Sequence, residues 1–111
     1  MDNIFKIAVY IPEEFVKELM EGVNESMSPI YSGYDMTFSM TEVTGTWRPL
    51  EGSNPFIGKE NEISIAKEIK VEFAVRKDDL KKVIKKIVSV HPYEEPGIDV
   101  IPMYGWKSVI Q

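Results

Sequence analysis

Two short stretches concentrate the residues able to do chemistry. The first, Thr44-Gly45-Thr46-Trp47-Arg48-Pro49-Leu50-Glu51-Gly52-Ser53-Asn54-Pro55-Phe56-Ile57-Gly58, sets three glycines and two prolines among large aromatics and one arginine. Glycine reaches backbone angles that other residues reach only with strain, and proline fixes φ and removes a donor, so this alternation describes a shaped loop. Within it Thr46, Arg48, Glu51, Ser53 and Asn54 can bind a small anion, an amide or another metabolite. Trp47, Leu50, Phe56 and Ile57 are too apolar for a freely solvated connection. An Ω-type loop that packs its own aromatics and binds nothing accounts for the same composition. The second stretch, His91-Pro92-Tyr93-Glu94-Glu95-Pro96, sets a histidine beside carboxylates, the material of a general base or, as His91, Glu94 and Glu95, of a divalent-metal ligand set. Here too a structural account competes: His91 capping the negative end of a helix, with Tyr93 packed on the core. One histidine with no second nitrogen or sulfur ligand is a poor basis for a metal site. A cleft between the two stretches would use Thr46, Arg48, Glu51, Asn54, His91 and Glu94 for a ligand.

Several chemistries are excluded. With no cysteine in 111 residues there is no disulfide, thiolate metal site or cysteine nucleophile, and the single histidine, His91, rules out a two-histidine site within one chain. Gly52-Ser53-Asn54 is not a nucleophile elbow, and the glycine-bearing stretch lacks the Gly-Lys-Ser/Thr of a phosphate loop. The net charge of -5 hides six basic and two acidic residues between Arg76 and Lys86, a solvated helix face in a chain too acidic elsewhere for nucleic acid. The longest uncharged apolar run, Ile7 to Ile11, is far short of a membrane span, and Met1 to Lys6 lacks the form of a signal peptide. The expectation is one cytoplasmic domain over residues 1–111.

The elements that must position the two stretches follow from periodicity. Ile4 to Ile11 reads as a central strand, and Phe15, Val16, Leu19, Met20, Val23 and Met27 form the apolar stripe of a helix opening at Pro12 and running to Ser26. Met36, Phe38 and Met40 alternate with Thr37, Ser39 and Thr41 as a half-buried strand. Ile69, Val71, Phe73 and Val75 alternate with Glu68, Lys70 and Glu72 as another. Asp78 and Asp79 favour the start of a second helix whose core stripe is Leu80, Val83, Ile84, Ile87 and Val88, with Lys81, Lys82, Lys85 and Lys86 facing away. Gly97 to Pro102 is the last strand. This β-α-β-β-α-β order predicts a ferredoxin-like α+β two-layer sandwich with both helices on one face of a four-stranded antiparallel sheet. The other face, with Thr37, Ser39, Thr41, Lys70 and Glu72, is left wet or used for self-association.

The loop motif, the His91-Pro92-Tyr93-Glu94-Glu95-Pro96 turn and Asp99-Val100-Ile101-Pro102 together closely resemble the domain inserted in the larger Nif-three-like proteins, also called GTP cyclohydrolase I type II homologues, over nearly the whole chain from Phe5 to about Met103. The turn is also similar to that of the CutA divalent-cation-tolerance proteins, and both groups resemble the trimeric PII signalling proteins in fold. In the full-length family, the resemblance implies, a two-metal centre is built from flanking halves absent here, so none of its ligands carries over to this sequence. Thr37, Val43 and Trp47 depart from the family pattern, which has cysteine, glycine and phenylalanine at these places. What the resemblance implies is a free-standing PII- or CutA-like domain, non-catalytic, that self-associates, with a trimer favoured, and binds a small ligand between loop and turn. The alternative is a metal-ion-binding protein or a subunit of a metal-dependent hydrolase, for which a divalent metal is the cofactor.

Overall fold

The computed structural model describes residues 4–111. Strand β1 is Ile4–Ile11; a 3-10 turn, Glu13–Phe15, leads into helix α1, Val16–Glu25; β2 is Ser39–Trp47 and β3 is Ser64–Arg76; α2 is Lys77–Val90, β4 is Gly97–Met103, and a short α3, Trp106–Val109, closes the chain. The sheet order is β2-β3-β1-β4, antiparallel throughout. This is the expected ferredoxin-like arrangement. Both long helices cover one face, because Leu19 and Val23 of α1 and Val83 and Ile87 of α2 share one buried core with Ile7, Val9 and Ile11 of β1 and Val71, Phe73 and Val75 of β3. Alternation along each strand puts these residues on a single side. The helices meet closely at Gly22, where a Cβ would lie 2.8 Å from Lys86 Cε, so the lysine's methylene stem lies on α1 while its charge stays outside.

The second helix differs in detail from its predicted stripe. Val83 and Ile87 are fully buried, Ile84 is only half-buried, and Val88 is exposed. The first helix begins later than predicted: Pro12 keeps an extended ψ of 143° and its carbonyl takes the Phe15 N–H in a 3-10 turn, leaving Val16 to start the α-helix. Strand β2 also starts later. Asn24 of α1 accepts the Met36 N–H at 3.0 Å and donates to Asp35 at 3.0 Å, fixing a turn in which Met36 has φ of 52° and is exposed. Phe38 does reach the core, edge-on to Phe73 with ring centres 5.3 Å apart. At its other end β2 runs on through Thr44–Trp47, so the shaped loop proper begins at Arg48.

The register creates a step. β1 ends opposite β3 at Ile11↔Ile69, whereas β3 pairs with β2 all the way to Trp47↔Ser64. Five residues of β3, Ser64 to Glu68, therefore overhang the end of β1. The molecule is accordingly long, 52 × 24 × 23 Å, with a radius of gyration of 15.5 Å against the roughly 13 Å of a compact chain of this size. On the face without helices Glu72 lies 3.9 Å from Lys6 and 3.8 Å from Lys70, a cross-strand charge group in water. Tyr104, Trp106, Val109 and Ile110 are exposed, although Ser108 is buried and Gly105 packs at Ile4. Among the described residues no helix is long and apolar enough to cross a membrane.

Candidate functional site

The loop and the turn meet at the step. Trp47 Nε1–H donates to the Ile57 carbonyl at 3.1 Å, pulling the loop back over its own entry. Asn61 N–H donates to the Pro49 carbonyl at 2.7 Å, and a turn at Leu50–Ser53, with Gly52 at φ of 86°, shapes the tip. Phe56 stacks edge-on against Phe15, 6.0 Å between ring centres, and lies 6.1 Å from Tyr93, which is 5.8 Å from Trp47. The Asn54 N–H closes the arrangement by donating to the Glu94 carboxylate at 3.1 and 3.2 Å. Beneath this roof is a cavity of about 370 Å³, lined by Thr46 and Trp47 from β2, loop residues through Ile57, Tyr10 of β1, Glu68 of β3, and Tyr93, Glu94 and Glu95 of the turn.

His91 is buried behind the cavity and does not line it. Its backbone N–H ends α2 on the Ile87 carbonyl, but the ring is not a helix cap: Nε2 donates to the Tyr10 carbonyl at 2.7 Å and Nδ1 accepts the Tyr93 N–H at 3.2 Å. That pattern is one neutral tautomer with both nitrogens in use. Burial lowers the pKa of His91, outweighing the Tyr10 carbonyl and the Glu68 charge, which raise it. A divalent metal does not fit the predicted set of His91, Glu94 and Glu95. Glu94 is turned to the Asn54 N–H, His91 has no free nitrogen, and among the described residues no three His, Asp or Glu side chains converge on one point.

Of the predicted ligand residues, Thr46 and Glu94 line the cavity, and Asn54 takes part through its main chain. Arg48 and Glu51 are exposed and outside it. No carboxylate holds Arg48: among the described residues the ion pairs are those of Glu72 with Lys6 and Lys70. Sequence reasoning passed over Glu68, taken as an outward-facing strand residue, yet it is only 7% exposed and sits in the cavity floor. Its carboxylate occupies the space a Cβ on Gly45 would fill. A glycine inside a strand marks a close approach, so Gly45 was the available signal. Next to Glu68, the Tyr93 hydroxyl is buried without a hydrogen-bond partner, and burial followed by the neighbouring Glu68 carboxylate pushes its pKa far up. The two groups interact through space without the geometry of a formed bond.

No family model matches the chain. Curated relatives do. The GTP cyclohydrolase 1 type 2 homolog of Halalkalibacterium halodurans is 30% identical over 102 residues, covering 92% of this chain and 27% of the relative, and that of Listeria monocytogenes is 38% identical over 98 residues, covering 86% and 26%. The chain thus spans about a quarter of the length of these relatives. Among solved structures, a Bacillus cereus protein related to NIF3 superposes with a TM-score of 0.80 at 26% identity, over 94% of this chain and 26% of that one. The periplasmic divalent cation tolerance protein CutA of Archaeoglobus fulgidus gives 0.70 at 17% identity, covering 96% and 90%, and GlnK of B. subtilis gives 0.62 at 14%, covering 90% and 84%; these two likenesses establish the fold alone. The chain is therefore similar, over nearly its whole length, to one domain of the Nif3-like, GTP cyclohydrolase 1 type 2 homologue proteins, and is built on the ferredoxin-like fold that CutA and GlnK share.

Proposed function

We propose that this chain is a non-catalytic domain that binds a small molecule between its loop and its turn and assembles with copies of itself, in a regulatory or assembly role. The observation that carries the binding reading is the fixing of the loop over the cavity by the Asn54–Glu94 bond, which shapes a half-open, largely aromatic cleft of about 370 Å³. Catalysis gains no support from His91, the one candidate base, because both ring nitrogens are engaged by backbone. The metal-binding alternative would require His91 to give up one of these bonds. Self-association is supported by the exposed apolar side chains Met40, Ile63 and Ile65 on the long β2–β3 hairpin and Tyr104, Trp106 and Ile110 on the tail, spread along a molecule 52 Å long. A trimer is the arrangement proposed. A thermal-shift screen of nucleotides, phosphates, amines and divalent ions tests the binding reading, since a ligand of the native state raises its melting temperature. Absence of any shift across millimolar concentrations of all four classes would overturn it.

A further inference from the structure

The cavity under the loop carries an unusual balance of charge. Its lining includes the carboxylates of Glu68, Glu94 and Glu95 and no lysine, arginine or histidine. Glu94 is occupied by the Asn54 N–H. Glu68 is more than nine-tenths buried, forms no ion pair among the described residues, and has only the Tyr93 hydroxyl as a polar side-chain neighbour in the cavity wall. The lysine two residues along the same strand is turned elsewhere: Lys70 Nζ lies 3.8 Å from Glu72 and 5.9 Å from the centre of the Tyr10 ring. A carboxylate on so buried a residue, lining a largely apolar cavity, favours a compensating positive charge beside it. Strand geometry builds the placement, for Gly45 on β2 leaves the room that the carboxylate fills. Around it stand the rings of Tyr10, Trp47, Phe56 and Tyr93, whose faces carry partial negative charge.

We propose that this cavity takes a small organic cation, a protonated amine on a flat apolar body, with Glu68 as its counter-charge and the aromatic rings as its walls. The proposal rests on the binding reading above and specifies the ligand class. It reverses the sign expected from the sequence. Arg48, the residue that suggested an anion, lies outside the cavity, and an anion entering would face carboxylates in a partly dry space. A bare metal ion is a poorer match than an amine, since no three carboxylate or imidazole donors converge among the described residues.

The test uses three probes of one shape and three charges, benzylamine, benzyl alcohol and benzoate, titrated at neutral pH into the ¹⁵N-labelled full chain while the indole N–H of Trp47 is followed by NMR. A charge-assisted contact to Glu68 should make benzylamine bind about tenfold more tightly than benzyl alcohol, with benzoate weakest. In Glu68→Gln, which keeps the side chain's shape, that preference should vanish, and the same spectrum shows whether the variant is folded. The ranking on the unaltered chain does not depend on any variant folding. Equal or tighter binding of benzyl alcohol or benzoate overturns the cation inference and leaves the binding reading standing, as does a cation preference that survives Glu68→Gln in a folded protein. No response to any of the three, together with a flat thermal-shift screen, overturns both.

Discussion

At the scale of single residues, the site is organised by a contact between Glu68 and a glycine. Gly45→Ala puts a methyl group where the Glu68 carboxylate now lies, so one of the two must move. Overpacking of this kind costs about 1–3 kcal/mol, and denaturant melts should show that loss, while Gly52→Ala, strained by φ but with open space around it, leaves the cavity intact. His91 gives a second expectation, in pH. Its pKa in the folded chain is lowered, mainly by burial, from the ordinary 6.5. Above 6.5 both folded and unfolded forms are neutral there and the stabilisation is complete; as pH falls below 6.5 the unfolded chain takes up a proton that the folded chain resists. Stability should therefore decline as pH falls from 6.5 towards the lowered value, with Glu68, Tyr93 and Tyr10 the groups facing the ring. Urea melts at pH 7.5 and 5.5 measure it. His91→Ala should cost about 1–3 kcal/mol at neutral pH through the lost bond to the Tyr10 carbonyl and flatten that decline. The role of His91 was not legible in the sequence, because both of its partners are backbone groups, one of them on a strand 81 residues away.

At the scale of elements, much more could be read in advance. Period-two alternation in β3 and period-3.6 spacing in α2 are local properties of the chain, and each located its element and most of its buried side. Boundaries were less legible. The start of β2 depends on the Asn24 side chain, and the extension of β2 to Trp47 depends on a pairing partner that begins at Ser64. A helix crossing also decides which of two adjacent isoleucines is deeper. Ile87 is fully buried and Ile84 half-buried, so Ile87→Ala should cost about 2–5 kcal/mol and Ile84→Ala clearly less. Chemical denaturation of the two variants side by side checks the order. The loop stayed ambiguous for another reason: its aromatics pack on protein, as a structural loop would have it, and the same packing roofs a cavity.

At the scale of the whole molecule, a chain with this much apolar surface at its two extremities should not remain alone in solution. Light scattering at micromolar concentration should give a multiple of 12.7 kDa, falling towards that value on deletion of Tyr104 to Gln111 if the tail is the clasp. The step in the sheet has a further consequence, in hydrogen exchange. From Ile69 to Glu72 the amides of β3 have a strand on either side, but from Ser64 to Glu68 only β2 is present. Successive N–H groups of a strand point alternately left and right, so about half of those in the overhang point to the side where β1 has ended. Deuterium should enter these alternate positions at nearly open-chain rates while their immediate neighbours stay protected. If a second copy lays a strand along that edge, the alternation disappears on assembly and returns on dilution, reporting, amide by amide, where one chain ends and the next begins.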